Sequence, residues 1–97
     1  MNTLLKNTPT KLDYFFNSIA SRKRIEILIT LSQNENLNLK DISKIIKTNP
    51  QNASLHTYKL LNSGLIAKRK NKNKVEHILT RRGKKVVKFI LEIDKNL

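Results

Sequence analysis

Gln51, Asn52, Leu55 and Lys59 fall on one face when the stretch from Asn49 to Ile66, NPQNASLHTYKLLNSGLI, is read at the α-helical period. Their chemistry suits a DNA major groove. Side-chain amides pair with base edges, an ammonium meets guanine or phosphate, and an alkyl group touches a thymine methyl. Ser54, His56 and Tyr58 flank that face. The Ser54 hydroxyl reaches phosphate or bonds back to its own helix. His56 hydrogen-bonds phosphate or a base edge, or else bonds a neighbouring helix. Tyr58 offers its hydroxyl to phosphate or covers the core, and Leu55 is equally an ordinary exposed leucine.

The helix that would carry these groups has its start and stop written in. Asn49 is a good N-cap, Pro50 suits the first helical position, and Gly64 is a C-terminal stop. Ala53, Thr57, Leu60, Leu61 and Gly64 share the opposite, core-facing side. Upstream, Asn38 caps a short helix with Asp41 three residues on, and Leu39, Ile42, Ile45 and Ile46 form its buried stripe. Lys47-Thr48-Asn49 is then a tight turn, which makes the pair a helix-turn-helix with the second helix for the groove.

Downstream, Ile66–Lys70 and Val75–Leu79 are short strands around a polar tip, Asn71-Lys72-Asn73-Lys74. Lys68, Arg69, Lys70, Lys72 and Lys74 make this hairpin basic. Directly after a recognition helix, such a hairpin reads as the wing of a winged helix, its cations on phosphates or in a minor groove. The competing reading is a sheet edge guarded by lysines against aggregation.

The remaining elements support this centre. Met1–Thr8 is polar and expected to fray. Thr8 or Thr10 caps a helix over 10–20, Thr10 with Asp13 resembling a capping box, and Leu12, Phe15, Phe16 and Ile19 form its stripe. Ser21 caps a core helix over 22–33, and a loop spans Asn34–Asn38. The helix-turn-helix occupies 39–47 and 50–63, and the wing 66–79. Thr80 caps a last helix over 81–96, where Val86, Phe89, Ile90, Ile93 and Leu97 form an apolar seam. The stripes on the two terminal helices suit a homodimer interface, with packing inside the domain as the alternative.

The expected fold is therefore one domain over 1–97, mainly α with a small β-hairpin, a winged helix-turn-helix with N- and C-terminal dimerisation helices. Charge agrees with a polyanionic partner. The chain carries +13, and residues 50–90 hold eleven Lys/Arg against Glu76 alone, whereas residues 1–49 hold eight Lys/Arg against four Asp/Glu. The competing reading is a merely solvated surface, which the concentration of charge in one half disfavours.

With no cysteine, disulfides, zinc-finger chemistry and thiol catalysis are excluded, and no cluster of His, Asp and Glu has metal-ligand spacing. Neither a membrane span nor a signal segment is evident, so the expected place is the cytoplasm, at the nucleoid. Two glycines make no phosphate loop, and Asp41 and Glu76 have no obvious acid/base partner, so no enzyme and no cofactor are expected.

Ser54-x-His56, Leu60 and Gly64-Leu65-Ile66 resemble the recognition-helix signature of ArsR/SmtB-type winged-helix repressors. Ile19-Ala20-Ser21 with Arg24-Ile25-Glu26-Ile27-Leu28 is similar to that family's first core helix, and Leu39, Asp41 and Ile42 to the short helix before the turn. Ile78-Leu79-Thr80-x-x-Gly83 is similar to the end of the wing in ArsR-like, MarR-like and archaeal winged-helix proteins. The resemblance spans Leu12 to Ile90 and implies dimerisation through the terminal helices. It departs from metal-sensing members in lacking their cysteine pair, and has Thr57 where leucine is usual.

Three functions follow as expectations. The first is a homodimeric, sequence-specific regulator of transcription on double-stranded DNA. The others are an architectural, chromatin-like DNA binder of low specificity and a winged-helix protein-interaction module.

Overall fold

The computed structural model describes residues 4–34 and 36–97, so the expectation that the N-terminus frays falls partly, at Met1–Thr3, outside the described residues. The order is α1 (Pro9–Ile19), α2 (Arg22–Gln33), α3 (Leu39–Ile45), α4 (Pro50–Asn62), β1 (Ile66–Asn71), β2 (Lys74–Leu79) and α5 (Arg81–Asp94).

Each helix starts where a side chain captures an otherwise unpaired N–H. Ser21, Asn49 and Thr80 accept from the backbone N–H three residues on, in Arg24, Asn52 and Gly83. Asn38 and Asp41 form a full capping box at 2.8 and 3.2 Å. For α1 the cap is Thr8, which accepts from Lys11 N–H, and the Thr10–Asp13 box does not form because Thr10 is already inside the helix.

Helix ends differ more from the spacing. α3 stops at Ile45 rather than 47, because Lys47 takes a left-handed φ of 56° that a helix cannot continue. α5 stops at Asp94 rather than 96. The wing strands are longer than the charge pattern suggests. Asn71 pairs with Lys74, so the turn is two residues, Lys72 and Asn73, and the left-handed conformation falls on Lys72 (φ 58°).

The core gathers one apolar stripe from each central element: Ile27, Leu28 and Leu31 of α2, Ile42 of α3 with Ile46 just beyond it, and Leu60 of α4. Leu65, Ile66 and Val87 close it, and six of these side chains are fully removed from water. At about 1.5–3 kcal/mol for each large aliphatic group, this burial is the main stabilising term. α1 packs on α2 and α4, and α5 returns across α2 and β2.

The start of α5 is docked onto the end of α4. Thr80 Oγ1 donates to Gly64 O (2.6 Å), Thr80 N–H to Leu65 O (3.1 Å) and Arg82 Nη1 to Ser63 O (2.9 Å). Gly83 lies so near this junction that a Cβ there would sit 2.0 Å from the Leu65 carbonyl oxygen.

The hairpin is also tied at its base. His77 N–H donates to Leu37 O at 2.9 Å, an isolated antiparallel bridge that fastens β2 to the loop before α3. Nothing in the spacing of the sequence announces this bridge.

Candidate nucleic-acid interface

α4 buries Ala53, Thr57 and Leu60, and so turns Gln51, Asn52, Ser54, Leu55, Tyr58 and Lys59 to solvent. Leu55 and Tyr58 are 63% and 60% exposed, far more than groups engaged in a core would be. Tyr58, Leu55, Lys59 and Asn62 meet Tyr14 and Asn17 of α1 along a cleft of about 350 Å³.

A second cleft, of about 430 Å³, separates the helix-turn-helix from the wing. Lys40 of α3, Ser54 of α4, and Lys68, Asn73 and Lys74 of the hairpin line it, and no acidic side chain does. Three ammonium groups around this slot form a local positive field suited to phosphate.

Lys40 and Tyr14 are absent from the site read off the sequence. Lys40 was findable, since the inward positions Leu39, Ile42 and Ser43 turn it outward at the start of α3. Tyr14 was not, because its place beside α4 depends on where α1 crosses that helix.

Strand alternation divides the cations of the wing. Lys68 and Lys70 share one face with Val75 and His77, while Arg69 lies on the other with Glu76. Arg69 is bound there: Nη2 donates to Glu76 Oε1 at 3.2 Å and to Asn36 Oδ1 at 2.8 Å. Glu76, which has no obvious acid/base partner in the sequence, is 3% exposed and paired with Arg69. Arg69, though exposed like Lys68, Lys70, Lys72 and Lys74, is thus tied into the framework of the hairpin by these bonds.

His56 adopts the neighbouring-helix contact of its two alternatives, its Nδ1 lying 3.1 Å from Arg24 Nη1. A guanidinium only donates, so Nδ1 accepts and the neutral ring carries its proton on Nε2. Burial, then the charges of Arg24, Lys59 and Lys23, hold its pKa below the ordinary 6.5. His77 is the more deeply buried ring, 3% exposed. Its burial lowers the pKa, the Leu37 carbonyl opposes that, and Lys68 lowers it further.

Both rings bind a proton less tightly folded than unfolded. Their contribution is whole above the unfolded pKa near 6.5 and is lost as pH falls through the folded values. The urea midpoint at pH 5.5 should therefore lie below that at pH 7.5, and His56→Gln and His77→Gln should each narrow the gap. An unchanged gap in both variants would contradict this.

The two apolar stripes are only partly spare. Phe15 and Ile19 of α1, and Val86 and Ile90 of α5, pack against the chain's own core, the alternative that their stripes left open. Phe16, Phe89, Ile93 and Leu97 remain exposed, and Leu12 is half-buried. A helical period marks an apolar face but does not say which part of it the domain itself covers.

Among the described residues, no group of three or more His, Cys, Asp or Glu could hold a metal ion, and no helix is long and apolar enough to cross a membrane.

A capped helix pair joined by a short turn, a core helix behind it and an antiparallel hairpin after it define a winged helix-turn-helix, mainly α. Residues 21–74 match the model of the MarR family, and the chain belongs to that family of winged-helix transcription regulators, which are not enzymes. Three solved structures illustrate the shared fold. Reduced HlyU from Vibrio cholerae N16961 is 24% identical, with a TM-score of 0.73 over 87% of this chain and 88% of that one.

The homodimeric winged helix-turn-helix DNA-binding domain Mb0332 from Mycobacterium bovis, a possible ArsR-family transcriptional regulator, is 18% identical, with a TM-score of 0.77 over 98% and 91%. A mutant of MepR from S. aureus is 18% identical, with a TM-score of 0.79 over 90% and 69%. The MarR-like part of the resemblance thus holds at the level of family, and the ArsR-like part at the level of fold. No curated protein matches the chain.

Proposed function

We propose that this chain is a single winged-helix domain that binds double-stranded DNA as a homodimer, recognises sequence, and regulates transcription in the cytoplasm, at the nucleoid. The observation that carries this reading is the acid-free cleft bearing Lys40, Lys68 and Lys74 beside the exposed face of α4. In this reading α4 enters a major groove with Gln51, Asn52 and Leu55 at base edges. Ser54, Tyr58, Lys59 and the lysines of the cleft and wing lie on phosphates. His56 supports α4 from behind, and Arg69 braces the wing.

A homodimer sets two copies of α4 side by side, in reach of major grooves about 34 Å apart on a palindromic site. The exposed Phe16, Phe89 and Ile93 support that arrangement, as does the homodimeric state named for Mb0332.

Selection from a random DNA pool, followed by titration at several salt concentrations, tests the reading. If about five phosphates are neutralised, affinity should fall roughly tenfold or more for each doubling of salt. Changing Lys40, Lys68 and Lys74 to Gln should weaken all sequences alike and flatten the salt slope by about one unit per lysine. Gln51→Ala or Asn52→Ala should instead erode discrimination at one base position, by about 1–3 kcal/mol where the contact is bidentate. Two sets of variants with the same phenotype would sink the division between helix and cleft. Salt-sensitive binding without a selected sequence would point to an architectural DNA binder, and no binding at low salt to a protein-interaction module.

A further inference from the structure

Arg24 is a charged side chain only 8% exposed, and the hydrogen bonds it makes go to neutral acceptors. Its Nε donates to Ser18 O at 2.6 Å and its Nη2 to Asn17 O at 3.3 Å. Both carbonyls belong to the last turn of α1, where they lack intrahelical partners and carry the negative end of the helix dipole. Nη1 faces His56 Nδ1 on α4.

A cation this deep is costly to bury, and these three acceptors are what offset the loss of water. The guanidinium is a rigid plane, so bonding all three fixes the end of α1 and the middle of α4 relative to one another. α2, which supplies Arg24, lies against both of them.

We infer that Arg24, acting through His56, is a positioning residue that sets the rotation of α4 about its axis and thereby which α4 side chains meet the bases. The inference rests on the function proposed above. His56 sits between the buried Ala53, Thr57 and Leu60 and the exposed Leu55 and Lys59, at the edge where a rotation begins. A helix with side chains has a radius of about 5–6 Å, so turning it by about 20° moves the tip of Gln51 by about 2 Å. Hydrogen bonds to a base edge do not survive such a shift.

The same fork reaches α1, which carries Phe16 of the proposed dimer seam, so it links the seam to the reading head. The contact requires a neutral His56. The charged groups around the ring are Arg24 and Lys23 of α2 and Lys59 of α4, all of which oppose its protonation.

The test compares the affinity for the sequence selected by the wild-type protein with that for a scrambled duplex. His56→Leu, which removes the acceptor, should lower that ratio about tenfold and leave scrambled-DNA binding unchanged. His56→Gln, which can still accept from Arg24, should keep the ratio within about threefold. Arg24→Lys, which keeps the charge but loses the fork, should match His56→Leu, and the double variant should lose no more than either alone.

The inference is overturned if His56→Leu keeps the wild-type ratio, even with a lowered melting temperature. It is overturned if His56→Gln loses as much as His56→Leu, since the imidazole would then be contacting DNA itself. Losses that multiply in the double variant overturn it as well. A wild-type ratio that survives in His56→Leu removes this inference alone; a wild-type protein with no ratio removes the proposed function and this inference with it.

Discussion

Replacing Phe89 and Ile93 together by aspartate should give a folded chain that sediments as a monomer and binds its DNA site about 10²–10⁴-fold more weakly, the advantage that two linked half-sites confer. The choice of residues follows from how α5 divides its apolar groups. Val86 and Ile90 pack on the chain's own core, so charges there would damage the monomer. Phe89 and Ile93 are 51% and 44% exposed, and aspartate costs the isolated domain little at those positions. In a dry seam between copies each would be a buried charge without a partner. Sedimentation at micromolar concentration and a titration on the selected duplex decide it. A wild-type monomer with full affinity for a single half-site would defeat the proposed assembly.

Gly83→Ala should be far more damaging than Gly64→Ala. Alanine normally stabilises a helix interior by about 1 kcal/mol over glycine. Here the added methyl would lie 2.0 Å from Leu65 O and 3.1 Å from Leu79 Cδ2, and the obstacle is backbone, which cannot swing away. α5 must lift, stretching the bonds from Thr80 to Gly64 and from Arg82 to Ser63. A loss of about 3 kcal/mol or more is expected, as for severe overpacking. For a domain of this size that lowers the melting temperature by about 12 °C or more. Gly64→Ala is the comparison: it is left-handed at φ 74°, but its close neighbour is the flexible end of Arg82, so its cost should be nearer 1 kcal/mol. A Gly83→Ala protein as stable as wild type would mean that the helix–strand junction is loose.

Helix starts were legible because caps are chemical signals. Ser21, Asn38, Asn49 and Thr80 each offer an oxygen to an N–H three residues on, and a linear sequence displays that spacing directly. Helix ends were less so, since α3 is stopped by the left-handed backbone of Lys47, a residue with no turn preference to advertise it. The outward face of α4 was readable from its period, and the orientation of Arg69 was present in the strand alternation that pairs it with Glu76. What could not be read is what depends on elements meeting in space: the cleft joining Lys40 to the wing, Tyr14 beside α4, and the fork from Arg24 to His56. The apolar stripes were legible as stripes, but their division between core and exposed residues depends on how α1 and α5 lie across the domain.

The bridge between His77 and Leu37, with the bond from Arg69 to Asn36, has a mechanical consequence. A hairpin joined only through its own ends would swing from the root like a flap. This one is clamped on the side of the helix-turn-helix, so its base moves with α3 and any compliance is confined to the outer rungs, from Lys70 and Val75 to the turn. It behaves as a short cantilever, stiff at the wall and yielding at the end where Lys72 and Lys74 sit. On DNA bound as proposed above, such a beam would hold the distance between α4 and the flanking backbone nearly constant, while its tip would follow a duplex of varying groove width.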